Sequence, residues 1–328
     1  MWLPWSEVYD AMQYRTLGRT NLEISFVGLG TGGPSRLGQN THADDGESVR
    51  VVREALDHGI NLFDTAAAYS ESEVLLGRAL AGVPRDDYIM ATKFTPTNKA
   101  TGEVISPGEL VSACERSLSR LGMEVIDIYQ FHGLVPGNYR DVVDRLYPTI
   151  EQLQEAGKIR FIGVTEYFFQ DPGHEMLNMA LEDDIWATIM VKYGILNMSA
   201  ADHVLPVAAE QNVGVFNMSP VRVKLTRPKE LEKIVARWKA AGLIEDDELA
   251  DNSPLDFTLS EDVQTIIQAG YKFGSDHNAI SSVVIGTGNP EHLRENIDTI
   301  LGDPLPEAVM EKLRRVFSDI VDTEGDSG

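Results

Sequence analysis

Four side chains that can hold or move a proton follow apolar segments of the chain. Asp64 ends one predicted strand, and Tyr69 lies five residues beyond it. Lys93 ends a second predicted strand and His132 ends a third. A packed core does not need such groups, whereas barrel enzymes place their catalytic groups at the carboxyl ends of the strands. The sequence therefore predicts one active site formed by successive strand ends.

The chemistry of these four groups is complementary. A free phenol titrates near ~10, and a neighbouring ammonium favours the phenolate, so Lys93 would help Tyr69 to exchange a proton. A carboxylate such as Asp64 holds an ammonium in place, and His132 can donate a hydrogen bond to a carbonyl oxygen. Together they predict a proton donor for a carbonyl that receives a hydride. Singly, each residue has an ordinary structural role, such as a helix cap for Asp64.

Length and composition indicate one large domain. The chain has 328 residues, 43% of them hydrophobic, which is ample for a single core. Its one cysteine, Cys114, excludes a disulfide framework and a cysteine metal cluster, and we expect no metal. The net charge of −23 argues against nucleic acid and anionic membranes as partners. Without a run of ~20 apolar residues or a secretory signal, we expect no membrane span and a cytoplasmic location.

Apolar runs bounded by glycine, asparagine or aspartate alternate with segments of helical period. Strands are predicted at residues 26–30, 61–64, 88–93, 126–132, 161–164, 186–190, 213–217 and 281–285. Helices are predicted near residues 46–58, 72–81, 107–121, 139–156, 173–182, 200–211 and 258–273. Eight such repeats with near-continuous apolar strands predict an α/β fold, a parallel (β/α)8 TIM barrel.

Three further segments decorate this barrel. Residues 14–18 and 22–26 predict an N-terminal β-hairpin that caps the bottom of the barrel. Residues 222–257 are too long for an ordinary loop and contain a helical segment at 230–241; long loops at the top of a barrel usually bind ligands. Residues 307–320 predict one more amphipathic helix.

A glycine-rich segment at residues 28–33 matches the G-x-G-x-x-G pattern of Rossmann dinucleotide sites. Its context does not fit, because Pro34 follows and no helix is predicted before residue 46. The ribose-binding acid expected about 20 residues on is also missing, since the next strand ends only at Asp64. We interpret the segment instead as a barrel loop that passes close to a ligand. Its candidate contacts are Gly30, Thr31 and Gly32.

The segment 59–77, which contains Asp64 and Tyr69, resembles the signature of the aldo-keto reductases. Lys93 and His132 resemble the family's other two catalytic positions, and residues 157–165 and 285–296 resemble its fifth-strand block and its cofactor-binding end. The resemblance covers residues 12–322, which makes 1–11 an N-terminal extension and 323–328 a polar tail.

The resemblance implies a (β/α)8 barrel that binds NAD or NADP without a Rossmann domain. Hydride would pass between the nicotinamide and a small-molecule carbonyl or alcohol substrate. Tyr69 would be the acid/base, Lys93 and Asp64 would tune it, and His132 would position the substrate oxygen. No metal is implied, and the oligomeric state is not predicted.

The chain departs from the family pattern where the nicotinamide would lie. The family holds the carboxamide with Ser-Asn and Gln, and the matching residues here are Thr165, Glu166 and Met190. An ionised Glu166 can only accept a hydrogen bond, which suits the amide NH2, but Met190 cannot replace the glutamine. Met218 stands where an aromatic ring usually stacks on the nicotinamide, and a thioether packs there less specifically.

The phosphate end departs as well. Gly286 and His292 stand where NADPH-preferring members place a Lys and an Arg, which favours NAD or dual use, although Arg294 is near enough to substitute. The other expected contacts at this end form three sets. They are Ser219, Arg222 and Lys224 for the pyrophosphate, with Pro220 as a neighbouring cofactor contact, Gly288 in the loop after the last strand, and Glu295 and Asn296 for the adenine.

The leading functional prediction is therefore a nicotinamide-dependent oxidoreductase. Thr165-Glu166 and the missing phosphate clamp resemble the sugar-dehydrogenase branch, which implies an aldose or another polyol-like substrate. One alternative is a cofactor-sensing binding module with little turnover, similar to the potassium-channel β subunits. A third hypothesis is a barrel isomerase or aldolase that uses Lys93 as a Schiff base.

Overall fold

Eight parallel strands close into a barrel in the computed structural model, which describes residues 12–41 and 45–326. The predicted extension at residues 1–11 lies outside the described residues. A two-stranded antiparallel hairpin precedes the barrel, and the last barrel strand pairs with the first to close it. The strands are β1 (Tyr14–Thr16), β2 (Glu23–Ser25), β3 (Val27–Gly30), β4 (Leu62–Asp64), β5 (Ile89–Phe94), β6 (Ile126–Leu134), β7 (Ile159–Glu166), β8 (Thr188–Val191), β9 (Gly214–Met218) and β10 (Ser282–Ile285). The predicted (β/α)8 barrel is confirmed.

The barrel strands are predominantly apolar because both of their faces are buried, and the polar catalytic side chains lie at their carboxyl ends. Alternate side chains point to opposite faces of a strand. One set fills the barrel interior, and the other packs against the surrounding helices in the larger core. The interior set includes Leu62, Ile89, Ala91, Ile128, Met190, Phe216 and Val284.

The helices form the outer layer. They are α1 (Asp45–Asp57), α2 (Ser72–Leu80), α3 (Pro107–Leu121), α4 (Pro136–Glu155), α5 (Glu175–Asp183), α6 (Ala200–His203), α7 (Leu205–Glu210), α8 (Pro228–Ala240), α9 (Ile266–Ser275), α10 (Pro290–Leu301) and α11 (Glu307–Phe317). Local sequence sets their ends. In α3, for example, Ser106 and Glu109 form a capping box, and Gly122 ends the helix in the left-handed conformation.

Three helices differ from the sequence prediction. The predicted helix at 200–211 is divided into α6 and α7, at a point where Pro206 cannot donate a backbone hydrogen bond. The helix predicted from residue 258 begins only at Ile266, where Thr265 supplies the cap. The helix α10 was not predicted, although Asn289 caps it and Pro290 takes its first position, which is a recognisable start signal.

The N-terminal hairpin covers the bottom of the barrel, as predicted. The backbone N–H of Arg19 donates to the Asn212 carbonyl (2.5 Å), just before β9 begins. Leu17 is fully buried and belongs to the cluster that fills the barrel interior. The bottom is therefore closed, which leaves the carboxyl ends of the strands as the face open to a ligand.

Two later segments complete the structure. The long insertion after β9 carries α8, which overlaps the predicted helical segment at 230–241. The polar segment predicted after residue 322 is packed against the barrel as far as residue 326, through a 3-10 turn at Glu324–Asp326. Within residues 12–41 and 45–326, no helix has the length and apolar character to cross a bilayer.

Candidate active site

A buried ion pair lies between the ends of β4 and β5. The ammonium Nζ of Lys93 donates to both carboxylate oxygens of Asp64 (2.8 and 2.6 Å) and to the Thr65 carbonyl (2.8 Å). Lys93 is 1% exposed and Asp64 is 4% exposed. Burial alone would lower the pKa of Lys93, but the carboxylate of Asp64 and the phenol of Tyr69 together raise it. The ammonium is therefore charged and fixed by three acceptors, which argues against a Schiff-base lysine.

Tyr69 and His132 lie against this pair. The phenol oxygen of Tyr69 is 3.4 Å from Nε2 of His132, and the two rings meet edge to face with centroids 5.5 Å apart. The ammonium of Lys93 lies 5.2 Å from the centroid of the Tyr69 ring. Gly32 makes room for the phenol, since a Cβ there would lie 2.8 Å from the Tyr69 ring. The structure thus brings the four predicted catalytic residues together.

His132 is held in its neutral form. Burial, with added repulsion from Lys93 and Lys99, lowers the pKa of His132 to about 3. A neutral imidazole has one N–H donor and one acceptor nitrogen. His132 can therefore offer a hydrogen bond at neutral pH without placing a second full charge beside Lys93.

Gln130 is a fifth polar residue of the cluster, and the sequence prediction missed it. Its amide Nε2 donates to Asp64 Oδ1 (3.3 Å), and its carbonyl oxygen Oε1 is buried without a partner among residues 12–41 and 45–326. Gln130 lies two positions before His132 on β6, and alternation along a strand puts both on the same face. That spacing was the signal that could have identified it.

A cleft that we call the inner cleft opens directly above the catalytic cluster. It encloses about 180 Å³, which is less than the ~300–1,000 Å³ usual for a ligand pocket. Sequence reasoning predicted nine of its lining residues and missed six. The predicted ones are Gly30, Gly32, Asp64, Tyr69, Met190, Met218, Ser219, Pro220 and Gly286, and the missed ones are Gly33, Pro34, Val221, Tyr271, Val284 and Ile285.

A second depression, which we call the outer groove, continues from the inner cleft and shares Gly286 with it. It encloses about 870 Å³ between α1 and the start of α10. Of the predicted residues, it contains Gly286, Gly288 and His292, together with Arg294. Its other lining residues are Ser35, Glu47, Arg50, Glu54, Thr287, Asn289, Pro290 and Glu291. The two depressions together make an elongated site, which fits the shape of a dinucleotide with one end at the catalytic cluster.

Glu166 does not face this site, contrary to the sequence prediction. Its carboxylate contacts Nδ1 of His174 (2.6 Å) and accepts the backbone N–H of Lys192 (2.8 Å). Thr165, the preceding residue, faces the barrel, so strand alternation turns Glu166 outward towards the helices. Burial alone would lower the pKa of His174, but Glu166, with smaller contributions from Asn197 and Asp171, raises it. Both carboxylate oxygens are thus engaged, and a nicotinamide amide cannot be held by Glu166 in this arrangement.

The predicted pyrophosphate contacts Arg222 and Lys224 also point elsewhere. Arg222 is 1% exposed and donates to Asp326 and to the Leu196 carbonyl. Lys224 is 5% exposed, and its ammonium lies 3.4 Å from a carboxylate oxygen of Glu230. Each cation is neutralised by an acid of its own chain, so neither reaches the inner cleft.

Four further predicted contacts line neither depression. The hydroxyl of Thr31 is buried and donates to Thr65 (2.8 Å), and the hydroxyl of Thr165 accepts from the backbone N–H of Gly133 (2.8 Å). Glu295 and Asn296 lie on α10, beyond the residues that border the outer groove.

Comparison with known proteins gives one family. The profile described as the Aldo/keto reductase family matches residues 27–317, which is most of the chain. L-galactose dehydrogenase of Arabidopsis thaliana is 29% identical over 300 residues, covering 88% of each chain. NADH-specific methylglyoxal reductase of Escherichia coli is 32% identical over 226 residues, covering 62% of this chain and 66% of that protein.

Solved structures agree on the fold. An aldo-keto reductase from Bacillus halodurans in its holo form superposes with a TM-score of 0.70 at 24% identity, covering 93% of this chain and 96% of that chain. The catalytic cluster and the barrel both lie within the part of the chain that the family profile matches. This chain belongs to the aldo/keto reductase family of oxidoreductases.

Proposed function

We propose that this chain transfers a hydride between a nicotinamide cofactor and a carbonyl or alcohol carbon, with Tyr69 as the general acid/base. One observation supports the proposal most strongly. A phenol, an ammonium, a carboxylate and an imidazole meet at the open end of a closed barrel, where the phenol and the carboxylate line a cleft. Barrel enzymes carry their chemistry at this face.

Proton transfer is assigned to the Tyr69 hydroxyl. In the reducing direction the hydroxyl gives its proton to the substrate oxygen as the carbonyl carbon is reduced; in the oxidising direction it takes the proton back. The charge of Lys93 stabilises the phenolate that remains. Asp64 holds Lys93 in place and keeps it charged. When bound, a nicotinamide cofactor would supply the hydride in the reducing direction and accept it in the oxidising direction.

The neutral imidazole of His132 orients the substrate oxygen. Its Nε2 lies 3.4 Å from the Tyr69 oxygen, so a substrate oxygen seated beside the two atoms, about 2.8 Å from each, can accept a hydrogen bond from both groups. Preorganised donors of this kind stabilise charge as it develops on a carbonyl oxygen. Because His132 is uncharged, Tyr69 remains the group that delivers the proton.

The nicotinamide end of the cofactor is assigned to the inner cleft. Met190 and Met218 offer apolar, polarisable surfaces for the ring, and Ser219 offers a hydroxyl at the rim. The backbone at Gly30 and Gly286 also lines this cleft and is accessible to the ligand. This binding site offers the nicotinamide fewer hydrogen bonds than the family pattern does, since Glu166 is engaged elsewhere and Met190 has no amide.

The adenosine end is assigned to the outer groove, whose charges favour NAD or dual use. Three acids, Glu47, Glu54 and Glu291, border the groove. Arg294 could receive a 2′-phosphate, but its Nε is paired with Glu54 (2.8 Å). Arg50 is exposed and lies on the same groove, so it is a second cation that could meet a 2′-phosphate, which is why dual use is included in the proposal. The NADH-specific relative from Escherichia coli supports the same preference.

The substrate is proposed to be an aldose or another polyol-like compound. The similarity to L-galactose dehydrogenase extends over 88% of both chains, which supports a sugar substrate. The inner cleft combines the Tyr69 and Ser219 hydroxyls with apolar side chains, which suits a compound with hydroxyl groups.

Tyr69→Phe tests the acid/base assignment. We expect the turnover number to fall roughly 10²–10⁴-fold, because the phenol that exchanges the proton is gone. The affinity for the cofactor should stay within about twofold, because the ring and its packing remain. Cofactor absorbance, followed with a panel of aldoses and simple aldehydes, measures both the rate and the substrate class.

Tyr167→Phe is the matched control, because Tyr167 is exposed and lies outside the inner cleft. It should keep full turnover. Undiminished activity in Tyr69→Phe would refute the role of the phenol. A wild-type protein that reduces only simple aldehydes would refute the sugar assignment and leave the reaction class intact.

The charge state of His132 gives a second test. With its pKa lowered to about 3, His132 should show no protonation between roughly pH 5 and 8 in the folded protein. NMR of isotope-labelled histidine, assigned by loss of the signal in His132→Gln, measures this directly. The urea-unfolded chain is the control, where titration near ~6.5 is expected. A folded-state midpoint between pH 6 and 7 would contradict a neutral orienting imidazole.

Glu54→Gln tests the cofactor preference. Wild-type protein should bind NADH at least as tightly as NADPH. Removing the Glu54 charge releases Arg294 for the 2′-phosphate, so we expect NADPH to bind roughly 3–10-fold more tightly, with NADH nearly unchanged. Titration of tryptophan fluorescence provides the affinities.

Asp57→Asn is the control for this series, since Asp57 is an exposed acid on the same helix that does not border the outer groove. It should leave both affinities unchanged. Wild-type protein that prefers NADPH strongly would show that the groove holds the 2′-phosphate without help.

A further inference from the structure

Two buried cations lie behind the inner cleft and take no part in the proposed chemistry. Lys192 follows β8 and is 6% exposed, and Arg222 follows β9 and is 1% exposed. The Nη1 of Arg222 donates to the Leu196 carbonyl (2.5 Å), which directs the guanidinium away from the cleft. Buried charges of one sign are unfavourable unless a counter-charge satisfies them.

The counter-charge comes from the end of the chain. The carboxylate Oδ2 of Asp326 contacts Nζ of Lys192 and Nε of Arg222 (3.1 Å to the latter), and Oδ1 accepts the backbone N–H of Val223 (3.4 Å). The Asp326 side chain is only 6% exposed. Its neighbour Gly325 packs so closely that a Cβ there would lie 2.5 Å from the Arg222 guanidinium.

A second contact fixes the same segment four residues earlier. The indole Nε1 of Trp238, on α8, donates to the carboxylate Oδ2 of Asp322 (2.7 Å), and Nη2 of Arg222 donates to the Asp322 carbonyl (3.3 Å). Residues 322–326, which we call the C-terminal strap, are therefore attached at both ends. The strap joins α8 to the loop that follows β9.

That loop forms one wall of the inner cleft. Ser219 has φ = +51°, a left-handed conformation that non-glycine residues adopt only when their surroundings impose it. Pro220 is pressed against the backbone of Gly194 and Gly274, where an added Cβ would lie within 2.4 Å of a Pro220 atom. Arg222 then anchors the far side of the loop to the strap.

We infer that Asp326 is a positioning residue for cofactor binding: by anchoring Arg222 and Lys192, it holds residues 219–221 in the shape that receives the nicotinamide end. This inference rests on the proposed function, because the ligand it serves is the nicotinamide cofactor. Asp326 does not touch the reacting atoms. Its loss should therefore weaken cofactor binding and leave the chemistry of the loaded enzyme intact.

The test compares Asp326→Asn with wild-type protein by tryptophan-fluorescence titration with NADH and NADPH. We expect about a tenfold rise in Kd, with kcat at saturating cofactor within about twofold. Asp319→Asn is the matched control, because it removes an exposed carboxylate of the same chain end that lies outside the strap. That variant should bind like wild type.

Chemical rescue separates positioning from a general loss of stability. Asp326→Gly removes the carboxylate and leaves space for a small anion, so acetate should restore NADH affinity while chloride at equal ionic strength should not. If Asp326→Gly is too unstable to purify without the anion, it is prepared in acetate. Removing the acetate should then weaken NADH binding.

The outcomes distinguish this inference from the proposed function. Wild-type protein that binds neither nucleotide overturns the proposed function itself. Wild-type protein that binds, with Asp326→Asn binding equally well, overturns the positioning role alone. Tighter binding in Asp326→Asn also overturns it, because Arg222 would then be a phosphate ligand that the strap withholds.

Discussion

The buried pair of Asp64 and Lys93 is the interaction on which the active site depends. A charged ammonium at 1% exposure persists only because a carboxylate and a carbonyl occupy its three donors. The pair gives Tyr69 a fixed positive neighbour, and the charge of Lys93 adds to the burial that lowers the pKa of His132. The electrostatic setting of both proton-handling rings therefore includes this one desolvated charge pair.

The closed barrel makes this pair possible. Asp64 and Lys93 lie on adjacent parallel strands, and the register sets Asp64 beside Ala91, two residues before the lysine. Their side chains therefore meet inside one end of the barrel without any contribution from a flexible loop. The hairpin closes the opposite end, so the site opens only where the strands end.

The fold and the catalytic cluster could be predicted because their signals are local. Each of the eight strands is a short apolar run, and three of the four catalytic residues terminate such a run. Gln130 had the same kind of signal through its spacing from His132. The helix α10 was also signalled, by an asparagine cap followed by proline.

The cofactor contacts were harder to predict because they depend on partners far along the chain. Arg222 is neutralised by Asp326, more than 100 residues later, and nothing near Arg222 in sequence indicates this. Glu166 directly follows Thr165 on β7, and because successive side chains alternate between the two faces of a strand, its side chain lies on the opposite face. Arg50 meets the outer groove only because barrel closure brings α1 beside α10.

A double-mutant cycle on the buried pair tests the central claim most directly. Turnover is measured for Asp64→Asn, Lys93→Met and the double variant, at saturating cofactor. If the two charges act as one unit, the double variant should be no slower than the slower single variant, because either change alone already removes the charged neighbour of Tyr69. If instead the fold-loss of turnover in the double variant equals the product of the fold-losses in the two single variants, the two residues act independently, which would contradict the account.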